Sequence, residues 1–224
     1  MNVELICFDM AGTTVNDDGL VLAAFRRTIV EMGLSDNEAH DAESYVIETM
    51  GQSKLDVFTV LFNDRARDAN EAFERNLVEA ANDSGVTEVP GARAIAEYAR
   101  GLGIGVALTT GFSPATREAL IDLLGWDELF PLRVSPADAG RGRPHPDMVL
   151  LCALRAQVSG VQSIVVIGDT ASDMVAGRRA GAGQCVGVLS GTDAAARLLQ
   201  NGAEIVVDSV ADPRLHELLF EYAC

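Results

Sequence analysis

An apolar run near the start of the chain leads into an aspartate and then a turn rich in glycine and threonine. Residues 5–8 are Leu-Ile-Cys-Phe, Asp9 follows, and 10–14 read Met-Ala-Gly-Thr-Thr. A buried strand would fix the Asp9 carboxylate, and backbone N–H groups in such a turn suit phosphate oxygens. Aspartate also favours ordinary turns, so this segment alone leaves a structural and a chemical interpretation open.

A second acidic loop lies far downstream. The apolar run 164–167 is followed by Gly168-Asp169-Thr170-Ala171-Ser172-Asp173. The carboxyl ends of neighbouring parallel strands meet at one edge of a sheet, where such folds bind ligands. We therefore expect Asp9, Thr110 and Asp169, each at a strand end, to lie at the same edge.

Short apolar runs alternate with helical patterns over most of the chain. This alternation is typical of an α/β protein with a Rossmann-like parallel sheet and helices on both faces. Strands are predicted at 3–8, 104–109, 164–167, 184–188 and 204–207. Helices are predicted at 91–100, 114–124, 146–157, 172–180, 193–200 and 212–222.

Residues 16–87 interrupt the alternation, because they contain helical patterns only. These patterns cover 20–32, 37–50, 55–62 and 65–83, and the turn Val89-Pro90-Gly91 returns the chain to the sheet. We call 16–87 the helical insertion and expect it to form a cap over the sheet edge. The predicted catalytic core is then 1–15 together with 88–224.

Composition limits the possible partners of the protein. The 224 residues carry a formal net charge of −16, from 17 Lys and Arg against 33 Asp and Glu. Nucleic-acid surfaces need a basic stripe, so this balance argues against one. An anionic substrate would have to be attracted by a metal ion, an arginine or lysine, or backbone amides. No apolar run approaches the roughly 20 residues of a membrane span.

The cysteines favour a reducing environment. Cys7, Cys152, Cys185 and Cys224 are scattered and show no metal-ligand spacing. This usage is typical of buried, reduced thiols. The chain also starts without a signal-peptide pattern, so a cytoplasmic protein is expected.

Four separated motifs occur together in this sequence: Asp9 in DMAGTT, Thr110 in LTTG, Arg143 in GRPHP, and Asp169 with Asp173 in GDTASD. In this order they resemble the haloacid dehalogenase-like hydrolases, Mg²⁺-dependent phosphotransferases with a helical cap. The resemblance covers nearly the whole chain and is strongest to the phosphonatase branch. That branch shares Ala11, the segment Met50-Gly51-Gln52-Ser53-Lys54 and an arginine in GRPHP.

The resemblance implies roles for these residues. Asp9 would attack phosphorus, forming an aspartyl-phosphate, and Arg143 would orient it and offset phosphoryl charge. Substrate oxygens would be bound by Thr110 and by the backbone around Gly111, Ala11, Gly12 and Thr13. The Mg²⁺ ligands would be Asp9, the Ala11 carbonyl, Asp169 and Asp173, although Ser172 or Asp173 would equally suit a helix N-cap.

Ala11 and Lys54 bear on the type of reaction. Ester phosphatases of the superfamily usually carry an acid where Ala11 stands, and alanine cannot protonate a leaving alkoxide. In the phosphonatase branch a cap lysine, matched by Lys54, forms an imine with a substrate aldehyde, with a methionine matched by Met50 nearby. Lys54 would alternatively bind phosphate or be solvated, and Val57 replaces a histidine of that branch.

The sequence therefore predicts carbon–phosphorus cleavage of phosphonoacetaldehyde or a close analogue. The alternatives are a phosphoglycolate-type ester phosphatase and, more remotely, a non-catalytic sensor of a phosphate ligand. The protein would be a monomer or homodimer, and the apolar face of 20–32 would be either an interface or, as we favour, part of the cap core. His145 is expected to lie on a surface loop.

Overall fold

The apolar runs become one six-stranded parallel sheet in the computed structural model, which describes residues 2–221. The strands are β1 (Leu5–Asp9), β2 (Gly105–Thr109), β3 (Leu132–Val134), β4 (Ile164–Gly168), β5 (Gln184–Val188) and β6 (Ile205–Val207). Their spatial order is β3-β2-β1-β4-β5-β6, so β1 lies centrally between β2 and β4. This confirms the predicted α/β, Rossmann-like fold.

The central strand is buried on both faces of the sheet. All five residues of β1 are buried. Ile6 and Phe8 pack into one apolar cluster, whereas Leu5 and Cys7 pack into a second. Successive side chains of a strand point to opposite faces, so the two clusters are the cores above and below the sheet.

Helices of the core follow the strands. They are α5 (Ala92–Gly101), α6 (Pro114–Leu124), α7 (Pro136–Ala139), α8 (Asp147–Ala156), α9 (Ala171–Ala180), α10 (Ala195–Gln200) and α11 (Pro213–His216), with a π-helical turn at Glu217–Glu221 after α11. The prediction of one helix over 212–222 is therefore wrong in detail, because α-helical bonding ends at His216; Tyr222 lies outside the described residues.

The helical insertion contains helices only, as predicted. These are α1 (Leu20–Glu31), α2 (Asp36–Glu48), α3 (Lys54–Phe62) and α4 (Ala66–Ser84), with a 3₁₀ turn at Asn63–Arg65. Phe58 lies at the centre, with ring centroids 6.0, 6.0 and 5.5 Å from those of Phe25, Phe62 and Phe73. The insertion thus has an aromatic core.

Two antiparallel segments join the insertion to the sheet. The backbone N–H of Asn16 donates to the carbonyl of Thr87 at 2.9 Å, and that of Val89 donates to Thr14 at 2.9 Å. The chain therefore leaves and re-enters the core at one place, close to the carboxyl end of β1.

The five predicted strands agree with the structure to within two residues at each end, whereas β3 was not predicted. This edge strand has three residues and carries the charged Arg133 at its centre, so it shows no apolar run. Arg133 instead pairs with Glu118 at 2.5 Å.

Other expectations concern burial and membrane contact. Cys7, Cys152 and Cys185 are buried free thiols, and Cys224 lies outside the described residues. On α1, Phe25 and Ile29 are buried, which supports the interpretation of this face as core. None of the helices within 2–221 has the length and apolarity needed to cross a membrane.

Phe58→Ala should reduce the free energy of unfolding by about 3–5 kcal/mol, because a fully buried ring would leave a cavity among three aromatic neighbours. Urea denaturation followed by circular dichroism measures this change. The matched control is Val60→Ala on the same helix, where the side chain is 65% exposed and the expected change is within about 0.5 kcal/mol. Equal losses in both variants would contradict the assigned core.

Candidate active site

Asp9 ends the central strand and is buried beside an arginine. Its Oδ1 lies 2.6 Å from Nη1 of Arg143, and Asp9 is only 4% exposed. The following turn closes on the carbonyl of Met10, which accepts backbone N–H groups from Thr14 at 2.9 Å and Val15 at 2.8 Å. The strand and the turn together hold the carboxylate in a fixed position.

Glycine is required at position 12 of this turn. Gly12 has φ of 82°, and a Cβ there would collide with the Asp169 carboxylate and the backbone of Gly191. Both the conformation and the close approach exclude larger residues. The first and second acidic loops are thus in contact, as the strand order predicts.

Asp169 follows β4 and is held by two donors. Its Oδ1 accepts from the Thr13 hydroxyl at 3.2 Å, and its Oδ2 accepts from the backbone N–H of Thr192 at 2.8 Å. The loop that contains Thr192 follows β5, so three strand ends contribute to the position of this carboxylate.

Asp173 is bound on both of its oxygens. Its Oδ1 forms an ion pair with Arg143, and its Oδ2 accepts from the backbone N–H and the hydroxyl of Thr170. Thr170 is the N-cap of α9 and Asp173 is its N3 residue, which together form a capping box. Of the two alternatives for Asp173, the N-cap is therefore wrong in detail, because Thr170 holds that position and Asp173 completes the capping box.

The carboxylates at the carboxyl edge of the sheet are buried, and burial disfavours their charged forms. Burial raises the pKa of Asp9 to about 6, although Arg143 opposes the rise. Burial, and next the charge of Asp9, also raise the pKa of Asp169 well above its usual value. Burial lowers the pKa of Arg143, but the charges of Asp173 and Asp9 outweigh this effect and hold that pKa above the ordinary range.

These carboxylates fit a hard divalent cation. One oxygen from each of Asp9, Asp169 and Asp173 lies within 4.8 Å of the others, and Mg²⁺ prefers such oxygen ligands. Arg143 supplies one positive charge against three carboxylates. Its Nε is also buried without a hydrogen-bond partner within the described residues.

The helical insertion closes over this edge at Thr110 and Gly111. The backbone N–H of Lys54 donates to the Gly111 carbonyl at 3.2 Å, and a Cβ on Gly111 would collide with the Gln52 carbonyl. A Cβ on Gly51 would likewise collide with Thr170. Glycines on both sides permit the close contact between insertion and core.

Lys54 brings an amine into the same cavity. It is the first residue of α3, is 7% exposed, and its Nζ lies 3.9 Å from Sδ of Met50. Burial, and then the charge of Arg143, lower its pKa to about 8. A substantial fraction of this amine is therefore neutral at mildly alkaline pH.

Lys54 is also the only lysine of the chain, since every other basic residue among the 17 is an arginine. An arginine can bind phosphate as well as a lysine can, but only a lysine can become a neutral nucleophile at ordinary pH. The single lysine lies in the cavity that Asp9 and Asp169 also line.

The cavity contains most of the predicted residues. Asp9, Ala11, Met50, Lys54, Thr110, Gly111, Arg143 and Asp169 line it. Gly12, Thr13 and Asp173 lie directly behind, through the contacts given above. Asp17, Gln52, Thr170 and Thr192 also line the cavity and were not predicted, because they lie in loops or turns whose course the sequence does not specify.

Other candidates lie elsewhere. His145 is exposed, as expected, and does not line the cavity. Arg141 pairs with Asp147 at 2.8 Å on the surface. Val57 is buried at 3% exposure among the apolar side chains of the insertion.

A profile described as haloacid dehalogenase-like hydrolase matches residues 3–181. The chain belongs to the haloacid dehalogenase-like hydrolases. The match extends from β1 through α9 and so includes the acidic loops and the insertion. It confirms the resemblance on which the sequence-based roles were built, and it makes the protein a hydrolase of this family.

Two curated relatives are phosphonoacetaldehyde hydrolases. The protein from Nitratidesulfovibrio vulgaris is 33% identical over 147 residues, which cover 55% of this chain and 52% of the relative. The protein from Bacillus mycoides is 29% identical over 216 residues, which cover 86% of this chain and 78% of the relative. The chain thus spans about half the length of the first relative.

Among solved structures, a phosphonoacetaldehyde hydrolase-like protein from Oleispira antarctica has a TM-score of 0.82 and 22% identity. The likeness covers 100% of this chain and 95% of that one. At this identity the likeness supports the fold described above.

Asp169→Asn should remove most of the thermal stabilisation that Mg²⁺ gives. The amide oxygen still accepts a hydrogen bond, but one charged ligand is lost. A metal at 100 times its Kd stabilises the folded state by about 2.7 kcal/mol, so the shift in Tm is measurable by calorimetry. Without metal, the variant should melt at the same or a higher temperature, because burial penalises the carboxylate.

The matched control is Glu97→Gln, which removes an exposed carboxylate from α5. This variant should keep the full Mg²⁺ shift. An equal shift in Asp169→Asn would contradict the metal site.

Proposed function

We propose that the protein is a Mg²⁺-dependent hydrolase that cleaves the carbon–phosphorus bond of phosphonoacetaldehyde or a close analogue. The observation that carries this proposal is the position of the Lys54 amine and the Asp9 carboxylate in one cavity. A nucleophile for phosphorus and an amine for an aldehyde then act on the two ends of one small substrate. The homologous phosphonoacetaldehyde hydrolases support the same reaction class.

Asp9 is the proposed nucleophile. Its carboxylate attacks phosphorus to give an aspartyl-phosphate, which water then hydrolyses. Arg143, 2.6 Å from Asp9, orients the carboxylate and offsets phosphoryl charge. Thr110 and the backbone around Gly111 bind the transferring oxygens. The predicted part of Gly12 and Thr13 is structural instead, because their N–H groups donate to the Val15 and Met10 carbonyls within the turn.

Asp9, Asp169, Asp173 and the Ala11 carbonyl are the proposed Mg²⁺ ligands. A bound Mg²⁺ supplies charge neutralisation, which allows two anions, carboxylate and phosphonate, to approach each other. Because both Asp173 oxygens already contact Arg143 or Thr170, this residue also orients Arg143.

Lys54 is proposed to form an imine with the aldehyde. Cleavage of a carbon–phosphorus bond leaves an electron pair on carbon, and a protonated imine accepts that pair as an enamine. An ester phosphatase has no such need but requires an acid for the leaving oxygen. Ala11 has none to offer, which supports the imine reaction over phosphoglycolate-type hydrolysis.

The helical insertion 16–87 is proposed to act as a cap domain over the core formed by 1–15 and 88–224. Lys54 belongs to the insertion, whereas Asp9 belongs to the core, so closure of the cap completes the site. The antiparallel junction at Asn16 and Thr87 is the proposed hinge. The small cavity favours a compact substrate.

Purified protein with Mg²⁺ should release phosphate from phosphonoacetaldehyde, and Asp9→Asn should abolish this release without a change in fold. Phosphoglycolate and sugar phosphates are tested in parallel. Turnover of esters alone would support the phosphatase alternative, and binding of phosphate without turnover would support the sensor. Activity retained in Asp9→Asn would contradict the nucleophile.

Acetaldehyde with borohydride should alkylate Lys54, and the rate of trapping should rise with pH through about 8 and then level off. The neutral amine is the reactive form, and its fraction grows as pH passes the lowered pKa. Intact mass and peptide mapping measure the product; the only competing amine is the N-terminus.

Lys54→Arg is the matched control, because it keeps a cation but cannot form an imine. It should lose both trapping and phosphonate cleavage. Phosphonate cleavage at the original rate in this variant would contradict the imine.

A further inference from the structure

Five charged side chains line the cavity, and one of them has no role so far. These are Asp9, Asp17, Lys54, Arg143 and Asp169. Asp17 is the remaining one. It lies in the segment that leads from the core into the helical insertion, directly before α1.

Asp17 is held in place by the helix that follows it. Its Oδ1 accepts the backbone N–H of Val21 at 2.9 Å, and its backbone carbonyl accepts that of Leu20 at 2.6 Å. Gly19, at the N-cap position, has no side chain to bind these groups, so Asp17 caps α1 in its place. Its Oδ2 has no hydrogen-bond partner within the described residues.

Imine formation requires a group that both takes and gives a proton. Lys54 enters as an ammonium ion and must lose a proton before its nitrogen attacks the aldehyde carbon. The carbinolamine that forms must then lose its hydroxyl group as water, which requires a proton on that oxygen. The nitrogen lone pair forms the C=N bond as the C–O bond breaks.

We propose that Asp17 is the acid–base residue of this step, an inference that rests on the proposed function. Its carboxylate takes a proton from the Lys54 ammonium, and the neutral amine attacks the aldehyde carbon. A second proton passes from the nitrogen to the former aldehyde oxygen as the carbinolamine forms, and the carboxylic acid of Asp17 then gives its proton to the carbinolamine hydroxyl. Water leaves, a protonated imine remains, and Asp17 returns to the carboxylate. No oxidant or further reactant is needed.

The other charged groups of the cavity are already engaged. Asp9 is paired with Arg143 and faces the phosphorus, and Asp169 accepts from Thr13 and Thr192. The guanidinium of Arg143 does not release its proton at ordinary pH. Asp17 has an oxygen, Oδ2, without a hydrogen-bond partner among the described residues, and it lies on the insertion side with Lys54.

The charges of Asp17 and Lys54 also influence each other. Of the three carboxylates that raise the pKa of Lys54, Asp17 acts most strongly. Burial raises the pKa of Asp17, so its protonated form is more accessible than that of an exposed aspartate. Both properties suit a residue that exchanges a proton with this amine.

Stopped-flow trapping of acetaldehyde by borohydride tests the proposal in the full chain. Asp17→Asn should lower the rate of imine formation about 100-fold, the usual contribution of a positioned acid–base group. The asparagine amide oxygen can still accept the Val21 N–H, so Tm should not change. Asp18→Asn is the matched control, because it removes the exposed neighbouring carboxylate, and it should trap at the wild-type rate.

Chemical rescue separates proton transfer from positioning. Acetate should restore trapping in Asp17→Ala, because the small acid enters the space left by the side chain. If the wild-type protein traps acetaldehyde and Asp17→Asn traps it at the same rate, the role of Asp17 is overturned and the imine is not. A loss in Asp17→Asn with no rescue by acetate would also overturn it, in favour of a positioning role. No trapping in the wild-type protein would overturn the imine itself.

Discussion

The carboxyl edge of the sheet is organised by one buried guanidinium. Arg143 touches Asp9 from the first acidic loop and Asp173 from the second. An unpaired buried charge costs several kcal/mol, so these two loops cannot be positioned independently of this arginine. Asp169 has only a hydroxyl and an amide as partners. The edge is therefore short of positive charge, which is the condition under which a cation and then a phosphorus-containing anion bind well.

The Lys54 amine comes to the carboxyl edge of the sheet from the helical insertion. Few polar contacts join the insertion to the core besides the backbone contact of Lys54: the Ser113 hydroxyl donates to Glu74 at 2.7 Å, and Arg197 donates to the Glu48 carbonyl at 2.9 Å. Exposed or half-buried contacts of this kind contribute little each. Apolar packing adds to these contacts, because Phe25 and Phe58 of the insertion belong to the same buried cluster as Ile6 and Phe8 of the sheet.

The sequence predicted the parts of the site that depend on strand ends and motifs. Asp9 and Asp169 each follow an apolar run that forms a strand, and the parallel sheet brings these strand ends together. Edge strand β3 was not predicted, because Arg133 lies at the centre of its three residues. Thr192 was not predicted either, because it contacts Asp169 through its backbone N–H. In the sequence, Asp17 is one of several acidic residues between β1 and α1, and nothing in the pattern marks it. The structure places it at the cavity through the turn that begins α1.

The positions of the carboxylates also bear on which bond is cleaved. A phosphatase needs an acid near the leaving oxygen, two residues after the nucleophile, where this chain has Ala11. Asp17 is instead the carboxylate that raises the pKa of Lys54 most strongly. In the proposed reaction, an acid near Lys54 serves the aldehyde end of the substrate and not an ester oxygen beside Asp9. Ala11 and Asp17 therefore support the same proposed reaction, in which the aldehyde end of the substrate is activated before phosphorus is attacked.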